Sequence, residues 1–315
     1  MSEKSMRLMV PASTLSDAID LINVGANDIY LGLESEWFNQ YSFNGRAKIS
    51  KNGKCILPSY KEFSQICNYV HKKGGYVYFL ANTPMFNSGS KTFKMEFLDY
   101  VYQGITAGAD YIILGDLYAI QLVKEKYPHI KVAASSYLEA QNIETVHMLK
   151  SMGVAQVVLS YQSELNEIKT ICKEGNMDIE VFGHGGCSFY VGTCNMFHEM
   201  GEKVNIGYPC RAKYSVFLES QYFGETRILD GFKMCSLCKI KELISYNVHS
   251  LKIVGRDLPA SYILEIVRVY STVIHSCKKG EEIDLQQILP LWWKKTWCET
   301  GTLCRYGGQN VSNQG

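Results

Sequence analysis

The chain has 315 residues, enough for one large domain or one domain with an elaboration, and its 32 lysines and arginines against 31 aspartates and glutamates leave no basic field that would single out nucleic acid. No apolar run of the roughly 18 residues needed to cross a bilayer as a helix occurs, which argues against a membrane span. With no secretory leader read at its start and a length able to bury a substantial core, the chain's 11 cysteines are expected to be reduced thiols in the cytoplasm rather than a disulphide framework.

Strand and helix signals alternate along the chain. LMVPA at 8–12 predicts a first strand, followed by a helical pattern over 15–24, and DIYLGL at 28–33 predicts the second strand. A helix over about 59–71 leads to YVYFLAN at 76–82, and a helix over 93–106 leads to DYIILG at 110–115. The pattern continues with helix 118–126, strand KVAAS at 131–135, helix 140–152, strand QVVLS at 156–160, helix 165–173 and strand DIEVFG at 178–183. SLKIVG at 250–255 supplies the eighth strand. Three helices end in related junctions, NVGANDIYLG, TAGADYIILG and SMGVAQVVLS, where Gly25, Gly108 and Gly153 suit a left-handed C-cap. Eight strands, short connections and this recurring junction predict an α/β fold, a TIM-like (β/α)8 barrel rather than an open sheet. The barrel is expected over 1–285, with a cysteine-rich, cluster-binding insertion at about 184–240 after strand seven. An aromatic extension follows over 286–315, and its terminal GGQNVSNQG is expected to be disordered.

Four cysteines stand in or beside glycine-rich segments: Cys187 in HGGC, Cys194 in GTC, Cys210 in YPCR and Cys235 in FKMC. Soft thiolates select an iron–sulphur cluster or zinc, and four of them complete either a 4Fe-4S cluster or a closed structural zinc site. Cys67 and Cys172, by contrast, lie in apolar periodic segments and read as core residues, as do Cys55 and Cys277. The segment 187–210 leaves the C-terminal end of strand seven, the face on which such barrels build active sites. Strand ends also offer Asn82, Asp116, Ser135, Ser136, His184 and Arg256. Each has a plainer reading. Asp116 suits the N-cap of the next helix, His184 suits a hydrogen bond within the glycine turn as well as proton transfer, and Arg256 suits an ion pair with Asp257 as well as a carboxylate or phosphate anchor.

These residues also resemble a known family. VPAST near Val10, FNGRA from Phe43, ILGD ending at Asp116 and AASS ending at Ser136 are similar to segments of the collagenase-like peptidase family U32, as is the stretch EVFGHGGCSFYVGTCNM with GYPCR, FKMC and SLKIVGR. The resemblance runs over about 8–276. The family name covers reported proteases and oxygen-independent hydroxylases. The resemblance implies Cys187, Cys194, Cys210 and Cys235 as ligands of the 4Fe-4S cluster carried by the hydroxylase branch, with Cys238 a close rival for the fourth position. Arg46, Arg211, Arg256 and His184 match arginines and a histidine of the pattern, implying charge anchors and a proton-handling group. Three positions depart from it: Ala133 stands for a histidine, Tyr137 for a glutamine and Val254 for a glutamate. Valine can act neither as a general base nor as a metal-positioning group. The ending LPLWWKKTWCETGTLC departs as well. Trp292, Trp293 and Trp297 suit a packing lid, a partner surface or a stacking site, and Cys298 with Cys304 would need two further ligands to hold a metal.

The leading expectation is an iron–sulphur redox enzyme, an oxygen-independent hydroxylase of an aromatic, nucleobase or peptide-linked substrate. His184 would manage protons, and Arg46, Arg211 and Arg256 would anchor charge, with Asp116 at the same barrel end. An electron-transfer protein or a related U32-like subunit would be its partner. Peptide hydrolysis is the alternative, although the sequence has no HExxH helix and no GxSxG elbow. A non-catalytic subunit with a structural cluster or zinc is the third reading.

Overall fold

The computed structural model describes residues 6–38, 41, 57–83, 86–185, 213–226, 234–255 and 258–306. The first half alternates β1 (Arg7–Pro11), α1 (Leu15–Asn23), β2 (Asp28–Leu31), α2 (Tyr60–Lys72), β3 (Val77–Leu80), α3 (Lys91–Thr106), β4 (Tyr111–Leu114) and α4 (Leu117–Lys126). The second continues with β5 (Lys131–Ala134), α5 (Ile143–Ser151), β6 (Gln156–Val158), α6 (Leu165–Glu174) and β7 (Asp178–His184). After a hairpin of β8 (Tyr214–Leu218) and β9 (Gln221–Thr226) come α7 (Ile240–Ser245), β10 (Ser250–Ile253) and α8 (Ala260–Lys279). Strands β1 to β7 and β10 close a barrel in the order β1-β10-β7-β6-β5-β4-β3-β2. Every neighbouring pair is parallel, including the closing pair β1–β10, with Arg7 opposite Ser250.

The closed sheet follows from a two-residue alternation in which both faces are buried. Leu8, Val10, Ile29, Leu31, Val77, Phe79, Ile112 and Leu114 belong to the core between strands and helices. The residues between them, Met9, Tyr30, Tyr78, Leu80, Tyr111, Ile113 and Ala133, pack together as the barrel filling. Helix starts are fixed by side-chain caps. Thr14, Ser59, Ser90, Asp116 and Asn142 each accept a hydrogen bond from a backbone N–H of the following first turn. Helix α5 therefore starts at Ile143, three residues later than its apolar periodicity suggests, because Asn142 terminates it.

The insertion after β7 contributes an antiparallel hairpin, β8–β9, that the strand pattern did not announce. Its turn places Glu219 and Ser220 at φ 47° and 72° without glycine or asparagine at either position. Both faces are largely exposed, so no two-residue alternation exists to mark its strands. The C-terminal segment turns back after Gly280 and packs on α8 and against Met234 and Cys235, whose N–H groups donate to the Leu303 carbonyl. Trp292 stacks on Tyr262 with ring centroids 4.4 Å apart, and its indole N–H donates to Glu265. No helix among the described residues is long and apolar enough to cross a membrane.

Candidate functional site

The C-terminal end of β7 organises the site. Lys252 stands opposite Phe182, but the next residue, Ile253, stands opposite His184, so the register shifts by one at this end. Ile253 belongs to the core outside the barrel, and the His184 ring lies against Tyr270, Trp293 and Tyr262 at centroid distances of 5.6, 5.7 and 6.2 Å. His184 is 0% exposed. Its Nε2 is 3.4 Å from the Tyr262 hydroxyl, and its Nδ1 finds no partner among the described residues. Burial first, and the Arg305 charge second, lower its pKa to about 3, so the imidazole is neutral near pH 7.

Cys235 is fastened to the same strand end. A bridge pairs it with His184; the Gly185 N–H donates to the Met234 carbonyl at 3.0 Å, and the Ser236 N–H to the Gly183 carbonyl at 3.1 Å. The Tyr270 hydroxyl accepts from the Ser236 N–H at 3.0 Å, donates to the Gly183 carbonyl at 2.6 Å and lies 3.8 Å from Cys235 Sγ. Burial raises the Cys235 thiol to about 12, so it ionises near neutrality only with a cation at the sulphur. This soft donor, packed beside the point where segment 187–210 departs, suits a cluster or a metal.

Of the other residues singled out in the sequence, Asp116 lies on the far side of the barrel after β4, where its Oδ1 accepts from the Ala119 N–H at 2.9 Å as an N-cap. Asn82 and Ser135, at the ends of β3 and β5, are joined by a 2.8 Å hydrogen bond. Ala133 and Val254 sit in apolar surroundings, Ala133 among the tyrosines of the barrel filling and Val254 against Val158, Tyr161 and Phe182. Cys187, Cys194, Cys210, Arg46, Arg211 and Arg256 lie outside the described residues.

The structure adds Arg305, which no motif marked. Arg305 is only 7% exposed. It donates to the Gly185 carbonyl at 2.7 Å and to the Tyr161 carbonyl at 3.5 Å, with its guanidinium 3.9 Å from the centre of the Tyr161 ring. Nothing in the sequence near Arg305 announces this, because its partners lie 120 and 144 residues away. Cys298 and Cys304 come to one cavity with Cys235 and Cys238, lined also by Trp293 and Trp297.

The chain is similar to known proteins over most of its length. Residues 13–299 match peptidase family U32. Among curated relatives, the tRNA hydroxylation protein P of Escherichia coli (strain K12) is 25% identical, covering 88% of this chain and 69% of that protein. The 23S rRNA 5-hydroxycytidine C2501 synthase of the same organism is 25% identical over 87% of this chain, which spans only 40% of that protein's length. The solved structure of a U32 peptidase superposes with a TM-score of 0.53 at 12% identity, covering 82% of this chain and 96% of that one, which establishes the shared fold.

Proposed function

The chain belongs to peptidase family U32, and on that footing we propose that it is an iron–sulphur enzyme that hydroxylates a base in RNA without molecular oxygen. The observation that carries this reading is the match, over nearly nine-tenths of the chain, to two proteins named for RNA hydroxylation. The proposed ligands are Cys187, Cys194, Cys210 and Cys235, and the setting of Cys235 beside His184 supports the fourth of them. Bound there, a 4Fe-4S cluster would supply one-electron redox steps or activate an oxygen donor. Replacing C–H by C–OH removes two electrons from the base, so an acceptor or a reducible oxygen donor is a necessary co-substrate. The chain's own part is to bind, orient and exclude water. Arg46, Arg211 and Arg256 are assigned to the anionic backbone or co-substrate. His184, neutral and enclosed by aromatic rings, is assigned to positioning the turn from which segment 187–210 leaves.

Peptide hydrolysis is the second reading, favoured by the family's name and the solved U32 peptidase. The described residues offer it little. The histidine–carboxylate pairs His71–Asp110 and His249–Asp178 flank the N-terminal ends of β4, β7 and β10, opposite the face where barrel enzymes react. The deciding experiment incubates anaerobically reconstituted protein with transfer and ribosomal RNA, an electron acceptor and candidate oxygen donors, and measures nucleoside masses. Gain of one oxygen atom, lost in Cys187→Ser, is the expected result. Peptide cleavage by iron-free protein, with RNA masses unchanged, would replace this reading by hydrolysis.

A further inference from the structure

We propose that Arg305 is the counter-charge of the cluster held at Cys235 and raises its reduction potential by favouring the reduced state. This rests on the iron–sulphur reading and adds to it a residue for which that reading has no role.

A guanidinium keeps its charge in a protein, so burying one has to be compensated. Arg305 is 7% exposed. Part of the compensation comes from neutral groups. Its side chain donates to the Gly185 and Tyr161 carbonyls, and the guanidinium lies 3.9 Å from the centre of the Tyr161 ring and 5.4 Å from that of Phe182. Its Nε–H finds no partner among the described residues, and none of the ion pairs among them includes Arg305. Two other cations set into the barrel are treated differently: Lys252 has the Glu180 carboxylate at 2.9 Å, and Arg7 has that of Asp28 at 2.5 Å. Arg305 thus carries a buried charge for which the described residues supply dipoles and ring faces but no anion.

Its place in the fold identifies the missing partner. The Arg305 backbone N–H donates to the Cys235 carbonyl at 2.9 Å, and Cys235 is paired with His184 at the end of β7. Gly185, which accepts from the guanidinium at 2.7 Å, follows His184 directly and donates its own N–H to the Met234 carbonyl at 3.0 Å. Arg305 is therefore tied by its main chain to the cysteine assigned to the cluster and by its side chain to the strand end beside it. The negative charge that the iron–sulphur reading brings to this junction is the cluster itself, a net anion when four thiolates hold it. Gaining an electron makes it more negative, so a fixed cation nearby stabilises the reduced form more than the oxidised one. Because Arg305 is buried, salt and water screen this effect weakly.

The test is a reductive titration of the full chain, reconstituted with iron and sulphide without oxygen. Dithionite, itself oxidised to sulphite, gives the cluster one electron through redox mediators, and the paramagnetic resonance signal of the reduced form is followed against potential. Arg305→Met and Arg305→Lys both lose the planar fork that holds the C-terminal segment, and they differ in charge. A change in water access is common to both, so the difference between them reads the charge. The equilibrium constant for reduction should be about tenfold smaller in Arg305→Met than in Arg305→Lys, a midpoint about 59 mV more negative for a one-electron couple. Arg305→Lys should stay close to the wild type. Equal midpoints in the two variants, or a more positive one in Arg305→Met, overturn the proposal. Iron lost from both variants also overturns it, by making Arg305 a structural tie, whereas iron lost from Arg305→Met alone supports it. A wild-type chain without iron and sulphide overturns the iron–sulphur reading and this proposal with it. RNA left unmodified by a chain whose cluster shows the expected difference overturns only the hydroxylase reading.

Discussion

Four inward-facing side chains hold a polar chain through the barrel filling. Lys252 Nζ lies 2.9 Å from Glu180 Oε1, Gln156 donates to Glu180 Oε2 at 3.0 Å, and the Tyr78 hydroxyl donates to Gln156 Oε1 at 2.7 Å. Glu180 is fully buried, and Lys252 lies over the Tyr30 ring at 4.4 Å. Breaking such a pair by removing one partner leaves an uncompensated buried charge, which typically costs about 3–5 kcal/mol. Lys252→Met should therefore lower unfolding free energy by about that much in denaturant titrations. Lys252→Met with Glu180→Gln should recover most of the loss, because the second change removes the stranded charge. A single variant as stable as the wild type would show that the pair is solvated. The alternation in SLKIVG and DIEVFG shows that Lys252 and Glu180 share a parity with other inward positions. It does not show that β10 closes on β7, and that closure is what makes them partners.

Whole elements were more legible than such pairings. The three repeated junctions signalled left-handed glycines, and Gly25, Gly108 and Gly153 have φ of 113°, 108° and 80°. Six of the eight barrel strands fall within the segments that apolar runs and bounding glycines mark, and β1 and β7 overrun theirs by one residue each, at Arg7 and His184. The hairpin after β7 stayed hidden because exposed strands carry neither a buried run nor an alternating face. Packing between elements can also reverse a local preference, and Gly104 in α3 tests this. Alanine is intrinsically better than glycine within a helix by about 1 kcal/mol. A Cβ at Gly104, however, would lie 2.5 Å from the Phe79 ring, against the buried face of β3. Overpacking a core typically costs about 1–3 kcal/mol, so Gly104→Ala should destabilise the protein by on the order of 1 kcal/mol net. A rise in Tm would show that α3 can withdraw from the sheet.

At the scale of the molecule, the barrel is covered near β7 by residues that come last in the chain. The resemblance to known sequences marked His184 and Cys235, whereas the groups that enclose them, Trp293 and Arg305, belong to an ending in which the sequence motifs showed no resemblance, although the family match runs on to residue 299. Arg305 joins the tail to the residues that follow β6 and β7 through the Tyr161 and Gly185 carbonyls. Hydrogen bonds from a charged donor contribute about 1.5–3 kcal/mol, more than an exposed ion pair. Arg305→Met keeps the length and apolar bulk of the side chain but removes both donations, and it should loosen the tail by about 2 kcal/mol without unfolding the barrel. Limited proteolysis resolves the two effects: cleavage between 281 and 294 should accelerate at least tenfold while far-UV circular dichroism stays constant. If the tail is held instead by Trp292 on Tyr262 and by the Leu303 carbonyl alone, cleavage will match the wild type, and Trp292→Ala will be the variant that releases it.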